Sequence, residues 1–318
     1  MFDVITIGDT TFDTFVQIDS ATIHYKKNSH RPEWLSLNYA DKICIDDSTQ
    51  SVGGNAGNVS VGLTRLGLDV AIVTEVGDDF YGHTIIKELE DAGVNTHLAD
   101  INKKRETRYS IVLNHKGERT ILCYHAKRSY KLPSLPASKW IYYTSMGPTF
   151  EKVQTRLLKF LKKHPEVKLA FNPGSYQMKE GKKFVNQILP HVDLLFVNKE
   201  EAELLTGKKG TLPVLIKALL KMGVKNVAIT DGIKGSAASF GEEILHMGIY
   251  TSPLISKTGA GDAYASGFFA AFLQGKSLTE CMTWGTANAA SVTGHLGAHT
   301  GLLGDAELKK FIAQHPTP

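Results

Sequence analysis

Short apolar runs alternate with longer helical segments in the second half of the chain, and this alternation restricts the fold more than any other sequence feature. The runs that are rich in β-branched and aromatic residues predict strands at 141–143, 169–171, 194–197 and 227–229. Apolar residues at helical spacing between and after these runs predict helices at 150–163, 181–189, 200–206, 213–222, 261–274 and 278–293. Repeated strand–helix–strand units build parallel sheets covered by helices. The sequence therefore predicts an α/β fold with a Rossmann-like, mainly parallel sheet flanked by helices.

The first half of the chain adds a second, smaller β layer. Residues 4–7 are typical of a buried first strand, whereas 108–113 and 118–124 alternate around a glycine-containing turn, as in a hairpin. Strands near 15–18 and 43–45 would join this hairpin to form a small β-sheet lid. We therefore predict two parts: a core of residues 1–12, 51–98 and 126–318, and a β lid of residues 13–50 and 99–125 with an inserted loop at about 20–40.

The composition is that of a folded protein without a nucleic-acid or membrane partner. The 318 residues are 42% hydrophobic and carry a formal net charge of +4, which suits a large core. Lysine pairs are scattered, so no basic face for nucleic acid is predicted. No uncharged apolar run approaches the roughly 18 residues that a membrane span needs. The three cysteines lie far apart, and we expect a cytoplasmic protein.

The stretch Ser256–Asp262 carries the strongest chemical signal. Gly259 and Gly261 leave the backbone open to close approach. A helix that begins at Ala260 or Gly261 would direct free N–H groups and its positive dipole end toward the loop, an arrangement that binds phosphate. Asp262 could then accept a proton from a hydroxyl that attacks a phosphoryl group. Alternatively, its charge could only stabilise the helix start.

A second glycine-rich stretch, Gly53–Asn58, precedes another predicted helix. A Gly-Gly turn lets the backbone approach a small ligand, and Asn55 and Asn58 offer donors and acceptors to hydroxyl groups. The alternative is a plain turn with an asparagine cap. Asp13 lies past the end of the first strand, where ligand sites of open α/β sheets tend to occur.

Three further groups of residues allow both a functional and a structural interpretation. Asn198 and Glu201 follow a strand at i and i+3, which suits Mg²⁺ held through water or a capping box. The segment Thr230–Gly235 ends another strand, as a nucleotide site or a plain β-turn would require. Asn288 would line a base pocket or make a buried hydrogen bond. No Gly-x-Gly-x-x-Gly follows the first strand, which argues against a dinucleotide dehydrogenase.

Taken in order, these motifs resemble the ribokinase-like (PfkB) family of carbohydrate and nucleoside kinases along nearly the whole chain. The motif set is Asp13, Gly53-Gly54-Asn55-Ala56-Gly57-Asn58, Asn198-x-x-Glu201, Thr230-x-Gly232-x-x-Gly235, Gly259-Ala260-Gly261-Asp262 and, in the hairpin, Gly117-Glu118-Arg119-Thr120. The resemblance implies a ribokinase-like fold and ATP-dependent phosphorylation of a sugar hydroxyl. A nucleoside is the alternative acceptor, and a hydroxymethylpyrimidine-type compound is the third. A catalytically inactive relative that senses a sugar or nucleotide also stays open.

The resemblance also implies roles for individual residues. Asp262 would be the general base, and the anion hole would consist of the backbone amides of Gly259, Ala260 and Gly261. The acceptor would be bound by Asp13, Gly53, Gly54, Asn55 and Asn58. ATP would be bound by Asn198, Glu201, Thr230, Gly232, Gly235, Thr258 and Asn288, with Asn198 and Glu201 positioning Mg²⁺ through water. The lid would exclude water from the reaction and could join two chains as a homodimer.

The chain departs from the family pattern directly before Gly259. The family often has Asp-Thr-Thr there and uses it to hold a monovalent cation, whereas Ser256 and Lys257 replace the first two residues in this chain. Loss of a carboxylate and gain of an ammonium group disfavour K⁺ electrostatically. We therefore expect activity that does not depend on K⁺. Lys257 would either supply the missing positive charge or point into solvent.

Overall fold

A computed structural model of the chain describes residues 1–25, 33–116 and 118–315. In chain order, its strands are β1 (Phe2–Ile7), β2 (Thr11–Gln17), β3 (Thr22–Tyr25), β4 (Glu33–Ser36), β5 (Asp47–Gly53), β6 (Val70–Val73), β7 (Glu75–Gly77), β8 (Asp100–Asn102), β9 (Tyr109–His115), β10 (Glu118–Tyr124), β11 (Ser138–Tyr143), β12 (Lys168–Phe171), β13 (Leu194–Asn198), β14 (Asn226–Thr230), β15 (Ser236–Phe240) and β16 (Glu243–Met247). Its helices are α1 (Asn55–Arg65), α2 (Phe80–Asp91), α3 (Phe150–Lys163), α4 (Ser175–Glu180), α5 (Lys182–Ile188), α6 (Lys199–Thr206), α7 (Leu212–Lys221), α8 (Ala260–Leu273), α9 (Leu278–Thr293) and α10 (Asp305–Gln314).

Eight strands form the larger sheet, in the order β16-β15-β14-β13-β12-β11-β1-β6. All neighbours from β14 to β6 are parallel, whereas β15 and β16 add to the sheet in antiparallel fashion. The prediction of a mainly parallel sheet is therefore confirmed. The four strands predicted in the second half of the chain are its β11 to β14.

Helices cover both faces of this sheet, which explains why its strands read as unbroken apolar runs. Successive side chains of a strand point to opposite faces. On β11, Ile141 and Tyr143 pack in a cluster with α3, α5 and α7, while Tyr142 packs with α1, α8 and α9 on the opposite face. Since each face needs its own apolar set, all three positions of β11 from 141 to 143 bury large side chains made mostly of carbon.

The smaller sheet has the order β10-β9-β2-β5, and its β9–β10 pair confirms the predicted hairpin. The strand predicted at 43–45 is wrong, because β5 does not begin until Asp47. The pairing with β2 starts next to the backbone bond from the Asp46 N–H to the Gln17 carbonyl, at 2.9 Å. Ile45 lies before that point and is half exposed, so its alternation with neighbouring residues does not mark a strand.

The predicted inserted loop contains regular structure in its described part. Strands β3 and β4 form a two-stranded antiparallel pair, while residues 26–32 of the loop lie outside the described residues. Leu35 packs against Val16, Ile18 and Ala21 in a small separate cluster. This pair therefore attaches to the lid sheet rather than to the main core. None of the helices in the described ranges is both long and apolar enough to span a membrane.

Candidate active site

Helix α8 begins at Ala260, as the glycine pattern predicts, and Gly259 makes the turn that starts it. Gly259 has φ +78°, a left-handed conformation that favours glycine. A Cβ there would lie 2.6 Å from the Ala298 Cβ, whereas a Cβ on Gly261 would meet no atom within 4 Å. Gly259 is therefore required by the fold, while Gly261 leaves open space in front of the helix start.

Asp262 sits in the first turn of α8 with only 7% of its surface exposed. The Asn58 Nδ2 donates a hydrogen bond of 2.7 Å to its Oδ2. Burial raises the pKa of Asp262 to about 7, with a further increase from the charge of Glu201, while the Asn58 bond opposes the rise. A carboxylate with a pKa near neutrality is suited to take up and release a proton at physiological pH.

A cavity of about 210 Å³ lies in front of Asp262. Several sequence-predicted residues line it: Asn55, Asn198, Glu201, Thr230, Gly259, Gly261 and Asp262. The walls also include residues to which the sequence assigned no role in the site: Asn172, Phe196, Val197, Ala228 and Tyr264. The cavity lies beyond the carboxyl ends of β12, β13 and β14, where ligand sites of parallel sheets occur.

Asn198 and Glu201 form the capping box of α6. The Glu201 N–H donates to the Asn198 Oδ1 at 2.9 Å, and the Asn198 N–H donates to the Glu201 Oε2 at 2.9 Å. The same Glu201 carboxyl lines the cavity, and burial raises its pKa to about 7. The second oxygen of this carboxyl, Oε1, is not used in the capping box, and a carboxylate oxygen at a cavity wall is a group to which a divalent cation can bind through water.

The predicted acceptor residues lie in β2, at the end of β5 and in the first turn of α1. Asp13 is 8% exposed and accepts a 3.0 Å bond from the Thr11 hydroxyl, while burial raises its pKa. Asn58, whose Nδ2 bonds Asp262, has a buried Oδ1 without a partner among the described residues. These two groups can accept hydrogen bonds from a ligand.

Gly53 and Gly54 lie so close to other atoms of the protein that neither position has space for a side chain. A Cβ on Gly53 would lie 2.2 Å from the Asp13 Oδ2, and one on Gly54 would lie 2.6 Å from the Asp9 carbonyl oxygen. Gly54 also has φ +85°. Their effect on an acceptor would therefore be indirect, through the position of Asp13 and of the β1–β2 turn.

The structure does not bring every predicted nucleotide residue to the cavity wall. Asn288 is completely buried. Its Nδ2 donates to the Ala263 carbonyl and the Ser266 hydroxyl, and its Oδ1 accepts from the Leu303 N–H, so this residue makes the buried hydrogen bonds that one of its two interpretations predicts. A Cβ on Gly235 would lie 2.1 Å from the Met247 carbonyl oxygen, which is a packing requirement. Gly232 is open to solvent, and the Thr258 Oγ1 is a buried atom without a partner among the described residues.

Two basic residues of the cavity wall come from opposite sides. Arg119 belongs to β10 of the smaller sheet, and Lys257 belongs to the loop before α8. The Lys257 Nζ lies 2.6 Å from the Glu118 Oε1, so it pairs with the smaller sheet. The sequence singled out Arg119 as part of a hairpin motif. Arg119 lies in the cavity wall because the β9–β10 hairpin folds over the cavity.

The whole arrangement has counterparts in known proteins. The sequence matches the pfkB family of carbohydrate kinases over residues 15–303. It is 25% identical to an ATP-dependent 6-phosphofructokinase of Thermoanaerobacterium thermosaccharolyticum, over 93% of this chain and 89% of that one. It is also 25% identical to a nucleoside kinase of Methanothermobacter thermautotrophicus, over 98% and 96%. The structure of Arabidopsis thaliana ribokinase complexed with ribose and ATP superposes with a TM-score of 0.79 at 21% identity, covering 98% of both chains. The chain therefore belongs to the PfkB family of carbohydrate kinases.

Proposed function

We propose that this protein transfers the γ-phosphoryl group of ATP to a hydroxyl of a sugar. The observation that carries the proposal is the position of Asp262. It is a buried carboxyl group with a pKa of about 7, held by Asn58. It lies in the first turn of a helix whose start faces a cavity. A base and an anion site are thus next to each other, as phosphoryl transfer requires.

In the proposed reaction, Asp262 removes the proton of the acceptor hydroxyl as its oxygen attacks the γ-phosphorus. The bond from the γ-phosphorus to the β–γ bridging oxygen breaks, and ADP leaves. Negative charge on the transferring group is stabilised by the backbone N–H groups of Gly259, Ala260 and Gly261 and by the positive end of the α8 dipole. The Ala260 N–H also makes a long bond of 3.5 Å to the Lys257 carbonyl. Asn198 and Glu201 would hold Mg²⁺ through water, and this ion would supply compensation for the phosphate charges. Asn58 keeps the Asp262 carboxyl oriented.

The other site residues are divided between the acceptor and the nucleotide. We place the acceptor against Asp13, Asn55 and Asn58, and the nucleotide against Thr230, Gly232 and Thr258. The smaller sheet acts as a lid that carries Arg119 to the reaction and keeps water out. Because ATP is the donor, we expect the protein to work in the cytoplasm.

A nucleoside is the second candidate acceptor. Phe12 and Phe15, which could stack on a base, are buried in the lid. Tyr109 and Tyr124 are about 40% exposed, at 37% and 41%, and their ring centroids lie 5.2 Å apart. Exposed aromatic faces of this kind can stack on a base.

The test measures ADP release from Mg-ATP with a panel of sugars and nucleosides, for the wild type and for Asp262→Asn. We expect turnover with one acceptor class and a loss of about 10²–10⁴-fold in the variant, with ATP binding retained. Asn58→Ser serves as a matched control that keeps Asp262 but removes its orienting amide, and it should lose less activity. Turnover of Asp262→Asn within about tenfold of the wild type would contradict the role of Asp262 as the base.

A further inference from the structure

Two arginines are buried beside the end of β1, and the proposed reaction as described above gives them no role. Arg108 is 3% exposed and Arg128 is 4% exposed. Arg108 is paired through its Nη1 with the Asp9 carboxylate. The Arg128 Nη1 lies 3.9 Å from the Glu75 Oε1, too far for a hydrogen bond. The Glu75 Oε1 accepts a 2.9 Å bond from the Asn102 Nδ2 instead.

The two guanidinium groups have five nitrogens without a hydrogen-bond partner among the described residues. These are Nε and Nη2 of Arg108, and Nε, Nη1 and Nη2 of Arg128. Buried donors without acceptors are costly, most of all when they carry charge. The carboxylates of Asp9 and Glu75 balance the two charges, but they leave these N–H groups without acceptor oxygens.

Asp9 cannot supply the missing acceptors, because its own oxygens are in use. The Tyr130 hydroxyl lies 2.7 and 2.9 Å from them, and the Gly147 N–H donates at 3.1 Å. A Cβ on Gly147 would lie 2.1 Å from the Arg108 Nη2, so the guanidinium group rests directly on this glycine. The cluster therefore lacks a group with several acceptor oxygens. A carboxylate or a phosphate is such a group, and the arrangement of its oxygens matches the fork of N–H donors on a guanidinium group.

The arginines lie next to the proposed acceptor residues. The Arg108 carbonyl accepts a 3.1 Å bond from the N–H of Phe12, the residue before Asp13. The Asp9 carbonyl is the atom that a Cβ on Gly54 would strike, at 2.6 Å. Both backbone contacts tie the cluster to the turn that carries the acceptor site.

The cluster also lies where the chain passes between the two sheets. Asp9 stands between β1 and β2, Arg108 directly precedes β9, and Arg128 follows β10. A ligand of these arginines would have to enter while the two sheets are apart, because both side chains are almost completely buried.

We propose that the acceptor sugar carries an anionic group, a carboxylate or a phosphate, which Arg108 and Arg128 bind. This inference rests on the proposed function and narrows its substrate class to sugar acids and sugar phosphates. Family membership leaves this charge open, since the names of the two relatives denote a phosphorylated sugar in one case and a nucleoside in the other.

The experiment has two readouts, of which only one needs catalysis. The first is the thermal shift of the full chain without ATP, in the presence of fructose, fructose 6-phosphate, glucose or gluconate. The second is ADP release with the same four compounds and Mg-ATP. We expect the charged member of at least one pair to raise the melting temperature and to exceed its neutral partner at least tenfold in kcat/KM, since bonds to charged groups are the strong ones. The phosphate pair and the acid pair distinguish the two sources of the anion.

Variants connect the effect to the arginines. Arg128→Gln should lose about 10- to 100-fold in kcat/KM for the anionic acceptor, and its thermal shift with that acceptor should vanish. Arg128→Lys keeps the charge and should recover part of both. Arg156→Gln removes a guanidinium group from the exposed side of α3 and is the matched control, with both readouts as in the wild type. Arg108 is not substituted, because its removal would leave the buried Asp9 carboxylate without its charged partner.

The possible outcomes separate the two proposals. If anionic sugars stabilise the protein through Arg128 but no compound releases ADP, the anion site stands and the proposed kinase reaction fails. If a neutral sugar is phosphorylated at least as well as its charged partner, and neither charged compound raises the melting temperature, the kinase stands and the anion site is wrong. Should Arg128→Gln fail to fold, the four wild-type comparisons still decide the question.

Discussion

At the scale of one residue, Asp262 shows that a group needed for the proposed reaction lowers the stability of the fold. Its carboxyl is buried, and the nearby charge of Glu201 makes ionisation still less favourable. A fold selected for stability alone would place an amide or an apolar group there. The single hydrogen bond from Asn58 compensates for only part of this cost.

The first prediction follows from the sign of this pKa shift. For an acid whose pKa rises on folding from 3.8 to about 7, the folded state holds the proton more tightly. Its contribution to stability is therefore complete below pH 3.8, declines between those values and is lost above about pH 7. We expect Asp262→Asn to raise the free energy of unfolding of the ligand-free protein by about 1–3 kcal/mol at pH 8 and by much less at pH 4.5.

Chemical denaturation at the two pH values measures this difference. The replacement Glu242→Gln, at an exposed position, is the control and should change neither value by more than about 0.5 kcal/mol. Equal effects of Asp262→Asn at both pH values would show that ionisation of the Asp262 carboxyl does not lower the free energy of unfolding.

The second prediction separates two glycines of the same loop. Gly259→Ala forces an L-residue into φ +78° against Ala298, and it should destabilise the fold by at least about 1–2 kcal/mol. Gly261→Ala meets no protein atom within 4 Å, so the fold should keep its stability. We nevertheless expect Gly261→Ala to reduce phosphoryl transfer at least about tenfold, because its methyl group would occupy the space in front of the anion hole.

Thermal unfolding and ADP release, measured on both variants, test this contrast. An active and stable Gly261→Ala variant would argue that the transferring phosphoryl group does not approach the α8 start.

At the scale of elements, the loop before α8 and the edge strand β10 are connected by the Lys257–Glu118 ion pair. Both side chains are partly exposed, at 44% and 72%, so the pair adds little to stability. Its significance is positional, because it places an ammonium group at the cavity wall. We propose that this ammonium group takes the place of a bound monovalent cation.

The third prediction is therefore that K⁺ does not activate the enzyme. Replacing K⁺ by tetramethylammonium at constant ionic strength should change turnover by less than about twofold, since Lys257 and a K⁺ ion would repel each other. Lys257→Met should reduce turnover, and Lys276→Met, outside this loop, should not. A several-fold activation of the wild type by K⁺ would contradict the prediction.

The elements of the second half of the chain could be predicted because local signals agreed with the global fold. The runs around Ile141, Leu169, Leu194 and Val227 are buried on both faces, so tertiary packing reinforces what each run indicates alone. Ser236–Phe240 was missed because its small and polar residues lack a strand signal, and it becomes a strand only by pairing with β14. The error at Ile43–Ile45 has the opposite cause, an alternating pattern without a partner strand.

The site could be predicted where a short motif contains its own geometry. Gly259 to Asp262 specify a helix start, and the structure places that helix at the cavity. Asn172 carries no motif and reaches the wall only because β12 lies beside β13. Arg108 and Arg128 come together through the folding of both sheets, and no pattern in their local sequence reveals them. Residues that act through long-range proximity are the ones that sequence reasoning misses.

At the scale of the whole molecule, the edge strand β10 exposes a large apolar side chain on each of its faces. Ile121 is 42% exposed and Leu122 is 52% exposed, and an open edge strand is prone to pair with another chain. The fourth prediction is that two chains associate through this lid. Sedimentation velocity should give a dimer for the wild type and a monomer for Leu122→Glu, while Val214→Glu, on an exposed position of α7, should remain a dimer. A monomeric wild type at micromolar concentration would contradict the prediction.

The two sheets also differ in how well the rest of the molecule covers them. Helices cover both faces of the larger sheet, whereas β10, which pairs with β9, is exposed along most of its length. Backbone hydrogen bonds beside an exposed edge strand open at a lower free energy than those inside a packed core. We therefore expect the smaller sheet to open before the larger one. Amide hydrogen exchange should therefore be faster at Val112 than at Ile141, although both side chains are equally hidden from water.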